Sequence, residues 1–404
     1  MTQLVQHHRP KLNIFRLWFS LILVLAIALV IVPLTGCSPS QARTAAQRTF
    51  LDLSLDFLGE YELPKMTYKD TPVGGLSALT YDRQRNKFYA LSDDRSKLAP
   101  ARFYTLEVAL KNTETGDISL EKINVEDVTF ITDESNKPFA PGSLDPEGIA
   151  LSPRGTVFIS SEGVPGRGIA PFIREFDLKT GQQRSNLQIP ERYLPNDKKE
   201  DESPRGLQEN LGFESLTLEL GSLSTANGDP FRLFTATESS LIQDSLPPNS
   251  EQSAPLRLLH YLIGNIARPM VVAEHVYFLD PTPKGAIDNG LTDLVTVDTG
   301  GHFLSLERTY SLLGANAKIY QLATGGATDT SGISSLKDNR SKVEPIKKKL
   351  LLDLSELGIY LDNLEGMALG PKLLDGSQSL LLVSDNNFSD TQVTQFLLFR
   401  LKQG

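Results

Sequence analysis

Short apolar runs recur in a fixed order from about residue 70 to residue 404. The runs that open each unit are VGGLSALTYD, DPEGIALSPR, GFESLTLELG, LTDLVTVDTG and NLEGMALGPK. If Gly74, Glu147, Glu214, Asp293 and Glu365 are equivalent positions, the units are spaced by 73, 67, 79 and 72 residues. A turn and a second run that ends near an acid follow each opening run, and further runs complete the unit. Such short runs, rich in β-branched and aromatic residues and separated by Gly, Pro, Asn and Asp, are typical of β-strands.

This repeat predicts an all-β fold, a β-propeller of five four-stranded blades. The last unit has three such runs, and residues 50–64 offer the missing strand, because Leu51, Leu53 and Leu55 alternate with polar residues. We therefore expect an N-terminal strand to close the last blade. Six blades, or an open pair of packed sheets, remain alternatives. One stretch, Leu352–Leu357, has an ambiguous helical pattern.

The N-terminal segment is predicted to lie outside the fold. Residues 1–36 combine three basic residues with an apolar run over residues 17–34, as in a secretory signal. The sequence LTGC that ends at Cys37 resembles a bacterial lipobox, in which the cysteine is acylated after cleavage. A plain membrane anchor is the alternative, since the run is long enough to cross a bilayer. We expect a lipoprotein signal peptide, a lipidated tether over residues 37–49 and one propeller domain over residues 50–404.

The composition narrows the classes of ligand. The hydrophobic fraction is 40% and the formal net charge is −9, with a pI near 5.2. This charge balance is the opposite of that of a nucleic-acid-binding protein. The single cysteine excludes a disulfide scaffold. A metal ion or a cationic ligand suits this chain better than a polyphosphate backbone does.

Acidic residues mark two places in the repeat. In a four-stranded blade the first strand lies innermost, and its start lies beside the end of the second strand. The starts carry Glu147, Glu214, Asp293 and Glu365, and the ends carry Asp93, Glu162, Glu238, Glu307 and Asp385. Closure of the propeller would gather these nine carboxylates at one mouth of the channel. Grouped like charges raise one another's pKa unless a cation compensates them.

These acids predict a cation site. Hard oxygen ligands in a flexible ring favour Ca²⁺ over Zn²⁺ or Cu²⁺. The metal-ligand candidates are Glu147, Glu214, Glu238, Asp293, Glu307, Glu365 and Asp385. The alternative for each acid is a structural role, in which its carboxylate binds backbone N–H groups of the neighbouring blade and holds the ring shut.

Three arginines, Arg95, Arg167 and Arg308, closely follow the acids at the second-strand ends. Their guanidinium groups bind carboxylate and phosphate with a matching fork of donors, so they are the substrate-binding candidates. Solvated ion pairs at the rim are the alternative. His260 and His275 lie within predicted strands and are expected to be packed. The sequence shows no zinc-spaced Cys/His set, no nucleophile elbow and no phosphate loop.

Several segments together resemble one family. They are DPEGIALSPRGTVFISSEG, PFIREFDL, GFESLTL, NGLTDLVTV, LSLERTY and DNLEGMALG followed by LLLVSDNNFS and TQFLLFRL. The chain is similar over roughly residues 70–400 to the bacterial "esterase-like activity of phytase" family of phytase-like propellers. The resemblance implies a secreted or periplasmic propeller with phosphoesterase activity. The closely spaced Lys/Arg cluster that phytate would need is not found in the sequence.

The functional hypothesis is a metal-assisted hydrolase of phosphoesters or other small esters. Glu147, Glu162 and Glu365 are the catalytic candidates, as ligands of Ca²⁺ or as a general base. A sugar-lactone hydrolase and a non-catalytic scaffold of the envelope are the alternatives. The expected partners are a small anionic ester and, through the lipid anchor, a membrane, with no nucleic acid. We expect a monomer in the cell envelope that faces the periplasm or the exterior.

Overall fold

The computed structural model describes the chain in seven segments, residues 49–112, 118–196, 203–219, 229–247, 250–265, 267–312 and 314–404. The predicted signal, Cys37 and all but the last residue of the predicted tether lie outside these residues. Within the described segments, no helix is long and apolar enough to cross a membrane. The stretch that was ambiguous in sequence forms a short 3₁₀ helix, Leu354–Leu357.

Twenty-two strands make up the described fold. It begins with β1 (Leu53–Leu63) and a hairpin of β2 (Met66–Tyr68) and β3 (Thr71–Val73). Blade 1 consists of β4 (Leu76–Asp82), β5 (Lys87–Ser92), β6 (Arg102–Asn112) and β7 (Ile118–Phe130). Blade 2 consists of β8 (Pro146–Leu151), β9 (Thr156–Ser161), β10 (Phe172–Asp177) and β11 (Gln183–Asn186). Blade 3 consists of β12 (Phe213–Glu219), β13 (Phe231–Thr237), β14 (Pro255–Ile263) and β15 (Met270–Phe278).

The last two blades complete a five-bladed β-propeller, as the repeat predicted. Blade 4 consists of β16 (Ala286–Thr296), β17 (His302–Ser311), β18 (Gly314–Ala323) and β19 (Lys347–Asp353). Blade 5 contains β20 (Asn363–Lys372), β21 (Gln378–Asp385), β22 (Thr394–Gln403) and β1 as its outer strand. Each blade is an antiparallel sheet in which neighbouring strands follow one another in sequence, with β1 the exception.

The N-terminal strand closes the ring, which confirms the expectation from residues 50–64. β1 pairs antiparallel with β22 from Leu53 opposite Gln403 to Leu63 opposite Thr394. Leu53 and Leu63 are buried, so both ends of the strand contribute to the core. This pairing covers an edge of β22 that would otherwise be free to pair with other chains.

The core lies between the blades. Five large clusters of buried apolar side chains fill the five interfaces between neighbouring blades. Between blades 3 and 4, for example, the rings of Phe234 and Phe303 meet edge to face with their centroids 4.9 Å apart. A strand in the middle of a blade, such as β21, is covered on both faces by the neighbouring blades. This explains why runs such as Leu380–Val383 are apolar at every position and lack strand alternation.

Candidate metal centre

Every innermost strand carries a β-bulge near its start. In each blade the register between the first and second strands shifts near the start of the first strand. A bulge changes the direction of the side chain that it inserts. The inserted residues are Ser77, Glu147, Glu214, Thr292 and Glu365. Three of the five blades therefore place a glutamate at the bulge.

The end of each second strand supplies a further side chain beside the bulge. The residues paired just before the bulge are Ser92, Ser161, Thr237, Glu307 and Ser384. The next residues along the second strands are Asp93, Glu162, Glu238, Arg308 and Asp385. Four blades thus add a carboxylate at this position, and blade 4 adds a guanidinium.

Blade 4 corrects the alignment made from sequence. Thr292 and Arg308 occupy the positions that were expected to hold Asp293 and Glu307, so neither of these two acids joins the other carboxylates. Instead the Asp293 carboxylate accepts hydrogen bonds from the backbone N–H groups of Met367, at 2.6 Å, and Leu294, at 2.7 Å. Asp293 therefore connects blade 4 to blade 5, the structural role that was the alternative for each acid.

Glu307 also lies in a separate cluster. Its carboxylate accepts hydrogen bonds from the Lys348 ammonium and the Tyr277 hydroxyl. The Lys348 ammonium also pairs with Asp280 at 2.7 Å and lies 4.2 Å from the centroid of the Tyr320 ring. The Lys348 ammonium compensates the charge of Glu307, so Glu307 is not available to a ligand in the channel.

The remaining acids form one group, which we call the acid ring. Its members are Asp93, Asp145, Glu147, Glu162, Glu214, Glu238, Glu365 and Asp385. Two sets of three carboxylates are close enough to hold a metal ion. In the set of Asp145, Glu147 and Glu162, and in the set of Glu162, Glu214 and Glu238, one oxygen of each residue lies within 4.8 Å of the others. Glu162 belongs to both sets.

Burial and mutual repulsion make these carboxylates hard to ionise. Burial, followed by repulsion from neighbouring acids, raises the pKa of Asp93 and of Glu162 to about 8. The same two causes raise the pKa of Glu365 to about 8, and burial raises that of Glu238 to about 7. Burial and neighbouring acids also raise the pKa of Glu147 well above its usual range. A bound cation would remove this penalty because it favours the ionised form.

Two arginines reach the acid ring. Arg95 pairs with Asp145 at 2.5 Å and donates to the side-chain oxygen of Asn210 at 2.8 Å. Arg308 pairs with Glu238 at 2.8 Å and lies 3.7 Å from Glu365. Eight carboxylates therefore face two guanidinium groups.

The third arginine candidate is not part of this group. Arg167 lies in the exposed 3₁₀ helix Pro165–Arg167 and donates to the backbone oxygen of Gly142 at 2.7 Å. Its guanidinium thus binds a loop of blade 2, and no carboxylate of the acid ring pairs with it within the described residues.

Three residues near the ring were not singled out from sequence. Asp145 directly precedes Pro146 and Glu147, and this short acidic motif was the available signal. Asn363 accepts a hydrogen bond from Arg308 at 2.7 Å and donates to Glu365 at 2.7 Å. Asp288 pairs with Arg308 at 2.8 Å. No regular spacing in the sequence marks Asn363 and Asp288. Asp288 lies in the first part of β16, before the bulge, and Asn363 is the first residue of β20.

The donor set fits a hard divalent cation. Among the described residues, no N–H or O–H donor outside the ring binds the side-chain oxygens of Glu147 or Glu214. Each of the two sets contains one such carboxylate, Glu147 or Glu214, and its oxygen lies within 4.8 Å of those of its two partners. This arrangement matches the oxygen ligands that Ca²⁺ takes in flexible geometry. Glu162 additionally accepts the backbone N–H of Gly212, so it also connects blade 2 to blade 3.

Comparison with known proteins agrees with this architecture. The profile of the phytase-like family, described as "esterase-like activity of phytase", matches residues 71–388. The chain therefore belongs to the phytase-like family, as its motifs suggested. Phytase-like β-propellers generally bind metal ions, which is consistent with the acid ring. None of the curated proteins matches the chain in sequence.

Similarity to solved structures is distant. An endo-arabinase from Bacteroides thetaiotaomicron is 10% identical, with a TM-score of 0.40, over 82% of this chain and 95% of the other. The Malassezia sympodialis allergen Mala s 1 is 12% identical, with a TM-score of 0.35, over 81% and 93%. The Pan2 WD40 domain of Neurospora crassa is 7% identical, with a TM-score of 0.33, over 86% and 95%. At these values the likenesses carry no argument about chemistry.

Proposed function

We propose that this propeller is a metal-dependent hydrolase of phosphoesters or other small esters, with its centre in the acid ring. One observation carries the proposal. Two sets of three carboxylates, sharing Glu162, place their oxygens within 4.8 Å of one another at the mouth of the channel. So much buried negative charge needs a cation, and two arginines are too few to supply it.

The residues divide into two groups by position. Asp145, Glu147 and Glu162 form one cation site, and Glu162, Glu214 and Glu238 form a second. A divalent cation bound at either site would polarise a carbonyl or phosphoryl oxygen of the substrate. Ca²⁺ is the favoured ion because the ligands are all hard oxygens on a ring that tolerates several coordination numbers.

Glu365 is the proposed proton-transfer group. Burial, followed by repulsion from Asp385, raises the pKa of Glu365 to about 8. A carboxyl that titrates near neutral pH can take a proton from water and return it to a leaving group. Asn363 donates to its Oε1 at 2.7 Å, which fixes the orientation of the carboxyl. Glu365 belongs to neither of the two cation sites, so it remains free for this role.

The net charge of the acid ring limits how many anionic groups the substrate can carry. Arg95 and Arg308 are positioned to orient a single anionic group between the acids. The net negative charge of the ring opposes a densely charged anion such as inositol hexakisphosphate. A small ester with one phosphate or one carboxyl group fits this balance better.

The test is a hydrolysis panel of chromogenic phosphomonoesters, phosphodiesters, carboxylic esters and lactones. Turnover should be lost in chelator and return with Ca²⁺. Glu365→Gln should abolish turnover while keeping Ca²⁺ binding, and Glu162→Gln should weaken both. Asp390→Asn is the matched control, since Asp390 is a fully exposed acid outside the ring. A protein that binds Ca²⁺ but hydrolyses no substrate would contradict the proposal and favour a non-catalytic binding propeller. Turnover confined to lactones would favour a lactone hydrolase.

We also propose that the protein is exported and tethered to a membrane through Cys37. The support is the lipobox resemblance and the position of β1. Leu53 pairs with Gln403, at the end of blade 5 opposite the acid ring, so the chain enters the propeller on the far face. Cys37→Ser should yield an uncleaved precursor or a soluble species on fractionation. A mature-sized Cys37→Ser protein in the membrane fraction would contradict the tether.

A further inference from the structure

A cavity opens at the end of the central channel opposite the acid ring. It has a volume of about 870 Å³ and lies between the C-terminal halves of the five innermost strands and the turns that follow them. Its apolar walls include Leu79, Ile149, Leu216, Leu294 and Met367, one residue from each blade. The acid ring lies at the opposite ends of the same strands, so the two sites are separate. Cavities of about 300–1,000 Å³ are typical of small-molecule sites.

Two of the three carboxylates that line this cavity have arginine partners. Asp82 pairs with Arg85 at 2.6 Å, and Glu219 pairs with Arg232 at 3.3 Å. The third, Asp298, lies 2.9 Å from the ring Nδ1 of His302. The arginine pairs compensate the negative charges of Asp82 and Glu219.

Two arginines in the lining, Arg83 and Arg154, have no carboxylate partner among the described residues. The Arg154 guanidinium lies over the ring of Phe231, with its central carbon 4.9 Å from the ring centroid. Its Nε and Nη2 atoms are buried and have no hydrogen-bond partner in the described chain. The aromatic contact thus fixes the guanidinium without satisfying it.

An arginine in this state keeps donors that an anion would satisfy. Leaving buried donors unpaired is unfavourable, typically by about 1–3 kcal/mol for each group. A guanidinium binds carboxylate and phosphate groups with paired hydrogen bonds, and a rigid guanidinium loses less entropy when it does so.

We propose that this cavity binds a small organic anion. Arg154 and Arg83 hold its carboxylate or phosphate groups, and its carbon skeleton packs against the apolar walls. The site is independent of the chemistry proposed for the acid ring.

The experiment is calorimetric titration of metal-free protein at constant ionic strength, with citrate, glycerol 3-phosphate and inorganic phosphate as probes. We expect at least one organic anion to bind more tightly than inorganic phosphate. Arg154→Gln and Arg83→Gln should each weaken it about tenfold, or about 1.4 kcal/mol. Arg154→Lys, which keeps the charge without the fork, should weaken it less. A preference for carboxylate or for phosphate probes identifies which anion the site takes.

The matched control is Arg184→Gln, which removes the same charge from an exposed pair with Asp177 outside the cavity. It should leave the affinity unchanged. Three results would overturn the proposal. The first is no binding of any probe at about 10 mM, which corresponds to a binding free energy smaller in magnitude than roughly 3 kcal/mol. The second is an equal loss of affinity in Arg184→Gln. The third is full affinity in Arg83→Gln. Since Arg83 is exposed, its variant keeps the test decisive if Arg154→Gln fails to fold.

Discussion

Without metal, the stability of the propeller should fall as the pH rises from about 5 to 8. Burial and neighbouring acids raise the pKa of Asp93, Glu162 and Glu365 to about 8, and burial raises that of Glu238 to about 7. In the unfolded chain these carboxyls titrate near pH 4. Between these limits the folded protein binds more protons than the unfolded chain does. The stabilisation is therefore complete below about pH 4 and is lost as the pH rises through 7 to 8.

The magnitude follows from linkage. Each extra proton held by the folded state lowers the free energy of unfolding by about 1.4 kcal/mol per pH unit. For a folded body of roughly 350 residues, 1 kcal/mol corresponds to about 1.3 °C in Tm. Two extra protons would then lower the Tm by about 4 °C per pH unit. Because the ring acids are coupled, two is a more realistic number than four.

Thermal unfolding in chelator at pH 5, 6, 7 and 8 measures this slope. Glu162→Gln combined with Glu365→Gln should flatten it, and Asp390→Asn should leave it unchanged. Added Ca²⁺ should raise the Tm more at pH 8 than at pH 5, because the ion binds the ionised form. A Tm in chelator that is constant or rises between pH 5 and 8 would refute the electrostatic description of the ring.

Two further predictions concern the scaffold. Asp293→Ala should lower the free energy of unfolding by about 1–3 kcal/mol, because the buried Met367 N–H loses its acceptor. The same variant should leave Ca²⁺ affinity unchanged. A loss of Ca²⁺ affinity in Asp293→Ala would return Asp293 to the metal site. Deletion of residues 50–64 should cause aggregation, because it exposes the edge of β22 over the register from Leu53 to Leu63. A truncated protein as soluble and heat-stable as the parent would contradict the closing role of β1.

The fold was predictable because the repeat is carried by many residues. Five opening runs and their following strands give the blade number, and the alternation of Leu51, Leu53 and Leu55 gives the closing strand. Whether an acid faces the ring, by contrast, changes when the register of its strand shifts by a single residue. In blade 4 the acids Asp293 and Glu307 lie next to Thr292 and Arg308, the residues that face the ring. One residue of error therefore changed two assignments.

A count along the second strands does not find the arginine by itself. Asp93 and Arg308 lie six residues after the first residue of β5 and β17, whereas Glu238 and Asp385 lie seven residues after the first residue of β13 and β21. The buried contacts of Asp293 and the shared role of Glu162 depend on which backbone N–H groups the next blade presents. That information lies in the packing of blades, and no local sequence pattern encodes it.

Calcium titration of metal-free parent and Glu162→Gln protein tests the central claim most directly. The amide oxygen of the substituted side chain would still accept the Gly212 N–H, so the variant should fold. It should bind Ca²⁺ at least tenfold more weakly at both sets of carboxylates, or about 1.4 kcal/mol, because Glu162 belongs to both. Asp390→Asn should bind as the parent does. If Glu162→Gln binds Ca²⁺ with the parent's affinity and stoichiometry, the acid ring is not the metal site and its carboxylates are structural connections between blades.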